Sequence, residues 1–94
     1  MQVVLLGRAR ADLARLRAFL QPHGDALAQR AVDVLFSAAN SLRDLPERGR
    51  PAEKSGYREL VVPFGRGAYV MRYRIDYGRK TVVIVRIWHG REQR

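Results

Sequence analysis

Near residue 46 the apolar pattern of this chain changes period, and that change restricts the fold more than any single residue does. Before it, apolar side chains recur every three or four residues: Ala9, Leu13, Leu16 and Leu20, then Leu27, Ala31, Val34, Leu35, Ala38, Leu42 and Leu45. Such spacing lines one face of a helix. After Gly56 the period is two. In "YRELVVP", Leu60 and Val62 fall on one side, Glu59 and Val61 on the other. In "AYVMRYRI", Tyr69, Met71, Tyr73 and Ile75 oppose Val70, Arg72 and Arg74. Alternation of this kind marks strands with one buried face. A helical stripe and a one-sided sheet each need a partner layer, so the two should pack on each other.

The punctuation completes the element order. "QVVLLG" at the start reads as a strand. Pro22-His23-Gly24 ends the first helix, Asp25 is placed to cap the second, and Pro46 stops it. So short a connection makes the helices an antiparallel hairpin. Residues 46–56 are a loop by composition, "FGRGAY" is a hairpin loop and "DYGRK" a turn. "TVVIVRIWH" is apolar on both faces apart from Arg86, as a central strand would be. The reading is a two-layer α+β fold of order β-α-α-β-β-β, its last three strands an antiparallel meander, in one domain spanning 1–94. The first strand could lie at an edge or beside the last strand. Parity about the 76–80 turn sends Val83, Val85 and Ile87 to the core. It leaves Arg72, Arg74, Arg86 and Trp88 on the open face of the sheet.

Composition narrows the function classes. The chain has no cysteine, which removes disulfides and thiolate metal sites and suits a reducing cytoplasm. Its two histidines, His23 and His89, lie far apart, so no ligand cluster of zinc spacing exists and no metal or cofactor is expected. No apolar run approaches the ~18 residues of a membrane span. The apolar start lacks the basic segment of a signal peptide. The net charge is +9, unevenly placed: residues 48–94 carry twelve basic residues against four acids, a net of +8. All but Lys54 and Lys80 of the basic residues are arginine. Such a field favours an anionic partner, whether nucleic acid or an acidic protein.

One chemistry suits those residues without a metal. RNA cleavage by its own 2′-hydroxyl needs a base, an acid and cations at the developing phosphorane charge. Arg72, Arg74, Arg86 and Arg91 could act as phosphate clamps, since the guanidinium fork binds phosphate bidentately. Proton-transfer candidates are few: His89, with Glu59 or Glu92 as partners. The same arginines read equally well as a solvated face, and His89 as a strand-end histidine bonded to backbone. Trp88 could stack a base, or cover apolar surface. The G-x-G of "FGRGAY" does not run from a strand into a helix, so it is no nucleotide loop.

Taken together, "LRDLPERGRP" at 42–51, "YRELVVP" at 57–63, "AYVMRYRI" at 68–75 and "VVIVRIWHGRE" at 82–92 resemble the ParE/RelE superfamily of bacterial toxins from toxin–antitoxin modules. The resemblance covers nearly all the chain. It implies one of two targets: DNA gyrase for ParE-like members, mRNA on the ribosome for RelE-like ones. RelE-like ribonucleases carry an arginine directly after the first tyrosine of the strand matching "AYVMRY"; here that position is Val70. They also tend to a lysine-rich loop before the meander and a tyrosine near the C-terminus. Here the loop has only Lys54, and no tyrosine follows His89. "IWHGRE" instead resembles the segment ending the last strand of ParE-like toxins. The resemblance therefore points to a gyrase-poisoning toxin without chemistry of its own, its target-binding residues drawn from Arg72, Arg74, Arg86, Trp88, His89 and Arg91. The alternatives are a metal-independent endoribonuclease using Arg72, Arg86, His89 and Arg91, or a non-toxic relative. It also implies an acidic antitoxin that folds onto the toxin, forms a hetero-oligomer with it and alone contacts operator DNA. The sequence indicates no antitoxin-contacting residues.

Overall fold

In a computed structural model that describes residues 1–92, seven strands and α-helices follow one another, with a 3-10 turn at Gln21–His23 between the two helices. They are β1 (Gln2–Leu5), α1 (Gly7–Leu20), α2 (Asp25–Ser41), β2 (Arg50–Pro51), β3 (Arg58–Phe64), β4 (Gly67–Asp76) and β5 (Thr81–His89). Gln93 and Arg94, part of the single-domain reading, lie outside the described residues. The strands form one mixed sheet of order β1-β5-β4-β3-β2. β1 runs parallel to β5, and every other pair is antiparallel. β1 is thus both an edge strand and the neighbour of the last strand, so the two expected placements are one. The two-residue strand β2 was not anticipated; it pairs Arg50 with Glu59 and Pro51 with Arg58.

The two helices cover one face of the sheet. Leu16, Ala31, Leu35, Ala39 and Leu42 meet Leu60, Val62, Tyr69, Met71, Tyr73, Val82, Ile84 and Ile87 in one core. Fully burying a large apolar side chain such as Leu35 or Ile84 stabilises the fold by about 1.5–3 kcal/mol. The sheet side of this core corrects the parity reading. Val82 and Ile84, not Val83 and Val85, face the helices. The hairpin closes with Asp76 opposite Thr81, so Ile75 meets Val82 and Tyr73 meets Ile84. Arg72 then meets Arg86, which leaves Val85 as a one-residue bulge. Beyond the bulge the facing parity returns to the expected one, with Met71 opposite Ile87 on the core side and Val70 opposite Trp88 on the open side. A bulge carries no signature in the alternation of an all-apolar strand, since either neighbour can face the core.

Three smaller expectations change. Asp25 is the first residue of α2 rather than its cap, and its carboxylate accepts from the Gln21 side-chain amide. Gly24, at φ 120°, holds the cap position. α2 ends at Ser41, ahead of Pro46, and Leu45 is exposed. Buried Tyr73 takes over there as the anchor of the following loop. Its hydroxyl donates to the Pro46 carbonyl at 2.7 Å and accepts from the Gly49 amide at 2.8 Å. Gly49 is required at that contact, because a Cβ would lie 2.7 Å from the Tyr73 hydroxyl.

Candidate functional site

The open face of the sheet is built from β3, β4 and β5. Register places Glu59, Arg72 and Arg86 in one cross-strand row and Val61, Val70 and Trp88 in the next. Arg74, opposite Val83, shares this face. It sits five residues along β4 from the Tyr69–His89 pair, about 16 Å at the usual strand rise.

Two of these arginines are already engaged. Arg72 Nε and Nη2 donate to Glu59 Oε2 at 3.1 and 2.8 Å. The same guanidinium lies 4.9 Å from the centroid of the Trp88 ring. Glu59 also pairs with Arg50 of β2 at 3.7 Å. Trp88 is buried between this lid and the sheet, so its faces are not free to stack a base. Val70, the position where the resemblance to RelE-like ribonucleases called for an arginine, is buried opposite Trp88.

Arg86 is engaged from the other layer. β1 ends at Leu5, opposite Ile84, so no strand among the described residues covers the outer edge of β5 beyond that point. α1 crosses there and supplies Asp12. Arg86 reaches round the edge and donates through Nε and Nη2 to the two Asp12 oxygens, at 2.7 and 3.2 Å. Asp12 Oδ2 also accepts from the Ile87 amide at 2.9 Å. Burial pushes the Asp12 carboxyl up, but the Arg86 bonds, the Ile87 amide and the Arg86 charge outweigh it and hold its pKa below the ordinary value. Bonding to Asp12 in turn raises the Arg86 guanidinium further.

At the end of β5 the chain turns back on itself. Glu92 Oε1 accepts from the His89 amide at 2.8 Å, and the Glu92 amide donates to the His89 carbonyl at 2.8 Å. Glu92 Oε2 meets Arg15 Nη1 at 2.7 Å. His89 Nδ1 accepts from the Arg91 amide at 3.2 Å, which puts the proton of the neutral ring on Nε2. The imidazole stands edge-on to Tyr69, with centroids 5.5 Å apart and planes at 89°. It also lies against Gly67, where an added Cβ would be 2.9 Å from Nε2. Beside it opens a groove of about 630 Å³ with Leu16, Phe19, Leu20 and Phe64 as apolar wall and Arg15 and Arg91 at the rim. Phe19 is 74% exposed there.

The structure therefore brings His89 and Arg91 together at one groove and leaves Arg74 at the far end of the face. It locks Arg72 and Arg86 into ion pairs and buries Trp88. Asp12 and Arg15 were missed by the sequence reading. The signal was present: Asp12 lies three residues after Ala9 and four before Leu16, on the buried stripe, where an acid needs a partner. Among the described residues no cluster of His, Cys, Asp and Glu could hold a metal ion. No helix among them is long and apolar enough to cross a membrane.

Comparison with known proteins places this geometry in context. Residues 3–94 match the family model described as the ParE toxin of the type II toxin–antitoxin system parDE. The chain is 41% identical over 92 residues to Toxin RelE1 of Caulobacter vibrioides, covering 98% of this chain and 96% of that one. It is 41% identical over 95 residues to Toxin RelE3 of the same organism, covering all of both. Among solved structures it is similar to one from a chromosomal ParDE system of P. aeruginosa, with TM-score 0.80, 25% identity and 95% of each chain covered. It is also similar to one from the toxin–antitoxin complex RelBE2 of Mycobacterium tuberculosis, with TM-score 0.71, 28% identity, and 97% and 92% covered.

Proposed function

The chain belongs to the ParE toxin family of type II toxin–antitoxin systems, and from that premise we propose that it poisons DNA gyrase by binding it through the His89–Arg91 end of the sheet rather than by cleaving RNA. One observation carries the choice. Phosphoryl chemistry on RNA needs guanidinium groups free to take the developing charge. Of the three arginines that the ribonuclease reading relied on beside His89, Arg72 and Arg86 are held by Glu59 and Asp12, which leaves Arg91 alone to take that charge. Tyr69, the ring next to His89, has its pKa raised by burial, which makes it a poor base at neutral pH. What remains accessible is a binding surface: an imidazole, an exposed arginine and an apolar groove.

An acidic antitoxin fits the rest of the surface. The two outer strands of the sheet differ in how they meet solvent. β2 is short, with an arginine and a proline, as protected edges are. β1 is apolar, and Val4, Leu6 and Phe36 beside it are exposed. Arg10 and Arg17 rim the groove between β1 and the helices. An acidic segment with apolar side chains would match that combination, and binding would add stability to a small toxin by mass action.

The deciding experiment is controlled expression without antitoxin, with parallel pulse labelling of DNA and protein synthesis, and a supercoiling assay on purified gyrase. DNA synthesis should stop first and supercoiling should fail. Protein synthesis stopping first, or supercoiling intact at excess toxin, overturns the proposal and returns the site to RNA cleavage. The double variant His89→Ala, Arg91→Ala should lose toxicity while keeping its fold and its antitoxin.

A further inference from the structure

Strand β5 has an unusual outer edge. Over Thr81–Ile84 it is covered by β1, but from the Val85 bulge onward the covering groups are side chains. Three backbone groups there point away from β4. The Ile87 amide donates to Asp12, the Ile87 carbonyl accepts from Arg15 Nη2 at 3.4 Å, and the His89 amide donates to Glu92. Arg15 ties the two acids together, with Asp12 Oδ1 at 3.5 Å and Glu92 Oε2 at 2.7 Å. Helix α1 thereby holds the strand and the turn after it at once.

We propose that Asp12 is a positioning residue: with Arg15 and Glu92 it forms a clasp that closes the edge of β5 and fixes the pose in which His89 and Arg91 meet the target. The proposal rests on reading that end as the target contact. The alternative, that Asp12 merely stabilises the fold, explains less. An ion pair taken out of water repays little of its desolvation, and apolar residues of similar volume are often as stable in its place. An apolar residue at position 12 could not accept the Ile87 amide, nor could it hold Arg15 toward Glu92. The acid joins the strand's Ile87 amide to Arg15, and Arg15 in turn reaches the Ile87 carbonyl and Glu92 beside His89.

The test compares Asp12→Asn, Arg15→Gln and Arg15→Lys with Leu42→Ala, a core truncation remote from the clasp. Amide exchange is measured on the full-length toxin, growth inhibition on cells expressing it, and antitoxin affinity on the purified pair. Asp12→Asn and Arg15→Gln should speed exchange of the Ile87 and His89 amides at least about tenfold, while amides bonded across the β4–β5 ladder keep their protection. They should weaken inhibition about tenfold with antitoxin affinity changed less than about twofold, and Arg15→Lys should recover part of the loss. Leu42→Ala should lower Tm and leave inhibition intact. Unchanged exchange at Ile87 and His89 overturns the clasp. Inhibition that follows Tm across all four variants overturns the positioning role. If His89→Ala, Arg91→Ala stays fully toxic, the target reading fails and takes the positioning role with it, while the exchange data still decide whether the clasp holds the strand.

Discussion

Replacing Tyr73 by phenylalanine removes one oxygen from the interior and should cost more than most single changes in this chain. The Tyr73 ring is fully buried, and its hydroxyl serves two backbone groups of the loop after α2. Phenylalanine keeps the ring packing, so the change isolates the polar contribution. The lost bond to the Pro46 carbonyl is worth about 1 kcal/mol net, and that oxygen can turn to water. The Gly49 amide is worse off. Gly49 is buried and its amide bonds the phenol inside the protein, and a buried donor left without an acceptor costs about 1–3 kcal/mol. The sum is about 2–4 kcal/mol, a large share of the 5–15 kcal/mol typical of a whole domain. For a chain of this length each kcal/mol moves Tm by about 4–8 °C, so Tm should fall by at least about 8 °C. Thermal unfolding followed by circular dichroism measures it. Tyr77→Phe is the control: that hydroxyl donates to Glu47 Oε1 at 2.6 Å, but Tyr77 is 60% exposed, and Tm should hold. A Tyr73→Phe protein within about 3 °C of the parent would refute the argument, because the loop would then be held by something other than the phenol.

Two further outcomes follow from the site. The Asp12 carboxyl is held below its ordinary 3.8 in the folded chain, so it contributes stability above that pH and loses it as pH falls through the lowered value. Denaturant unfolding between pH 5 and pH 2 should therefore show a steeper acid loss in the parent than in Asp12→Asn; equal slopes would contradict the Asp12–Arg86 assignment. Gly67→Ala puts a methyl group against the His89 ring and should displace the imidazole from Tyr69. Imidazole nitrogen shifts should change and toxicity should drop, with Tm little altered; an unmoved ring would mean the turn yields instead.

The layers of this fold were legible because each rests on a period that burial enforces. A stripe at helical spacing and alternation in β3 and β4 leave little choice of face, and Leu60, Val62, Met71 and Tyr73 lie where the pattern put them. β5 was not legible in the same way. With apolar residues at nearly every position, Val82 and Ile84 could exchange roles with Val83 and Val85 at no cost that the pattern records. The Val85 bulge settled the choice through pairing with β4 and β1. The site shows the same division. His89 and Arg91 were visible as the end of a strand, since strand ends present side chains to partners. The fate of Arg72 and Arg86 depended on acids distant in sequence, 13 and 74 residues away. A basic composition says only that anions are attracted, whereas function depends on which cations are still unspent after folding. Here the fold uses two of its arginines to cover Trp88 and to fasten α1 to β5. A chain that commits Arg72 and Arg86 in this way keeps fewer clamps for a phosphate and fastens the strand end that carries His89, the arrangement that the proposed binding mode asks for.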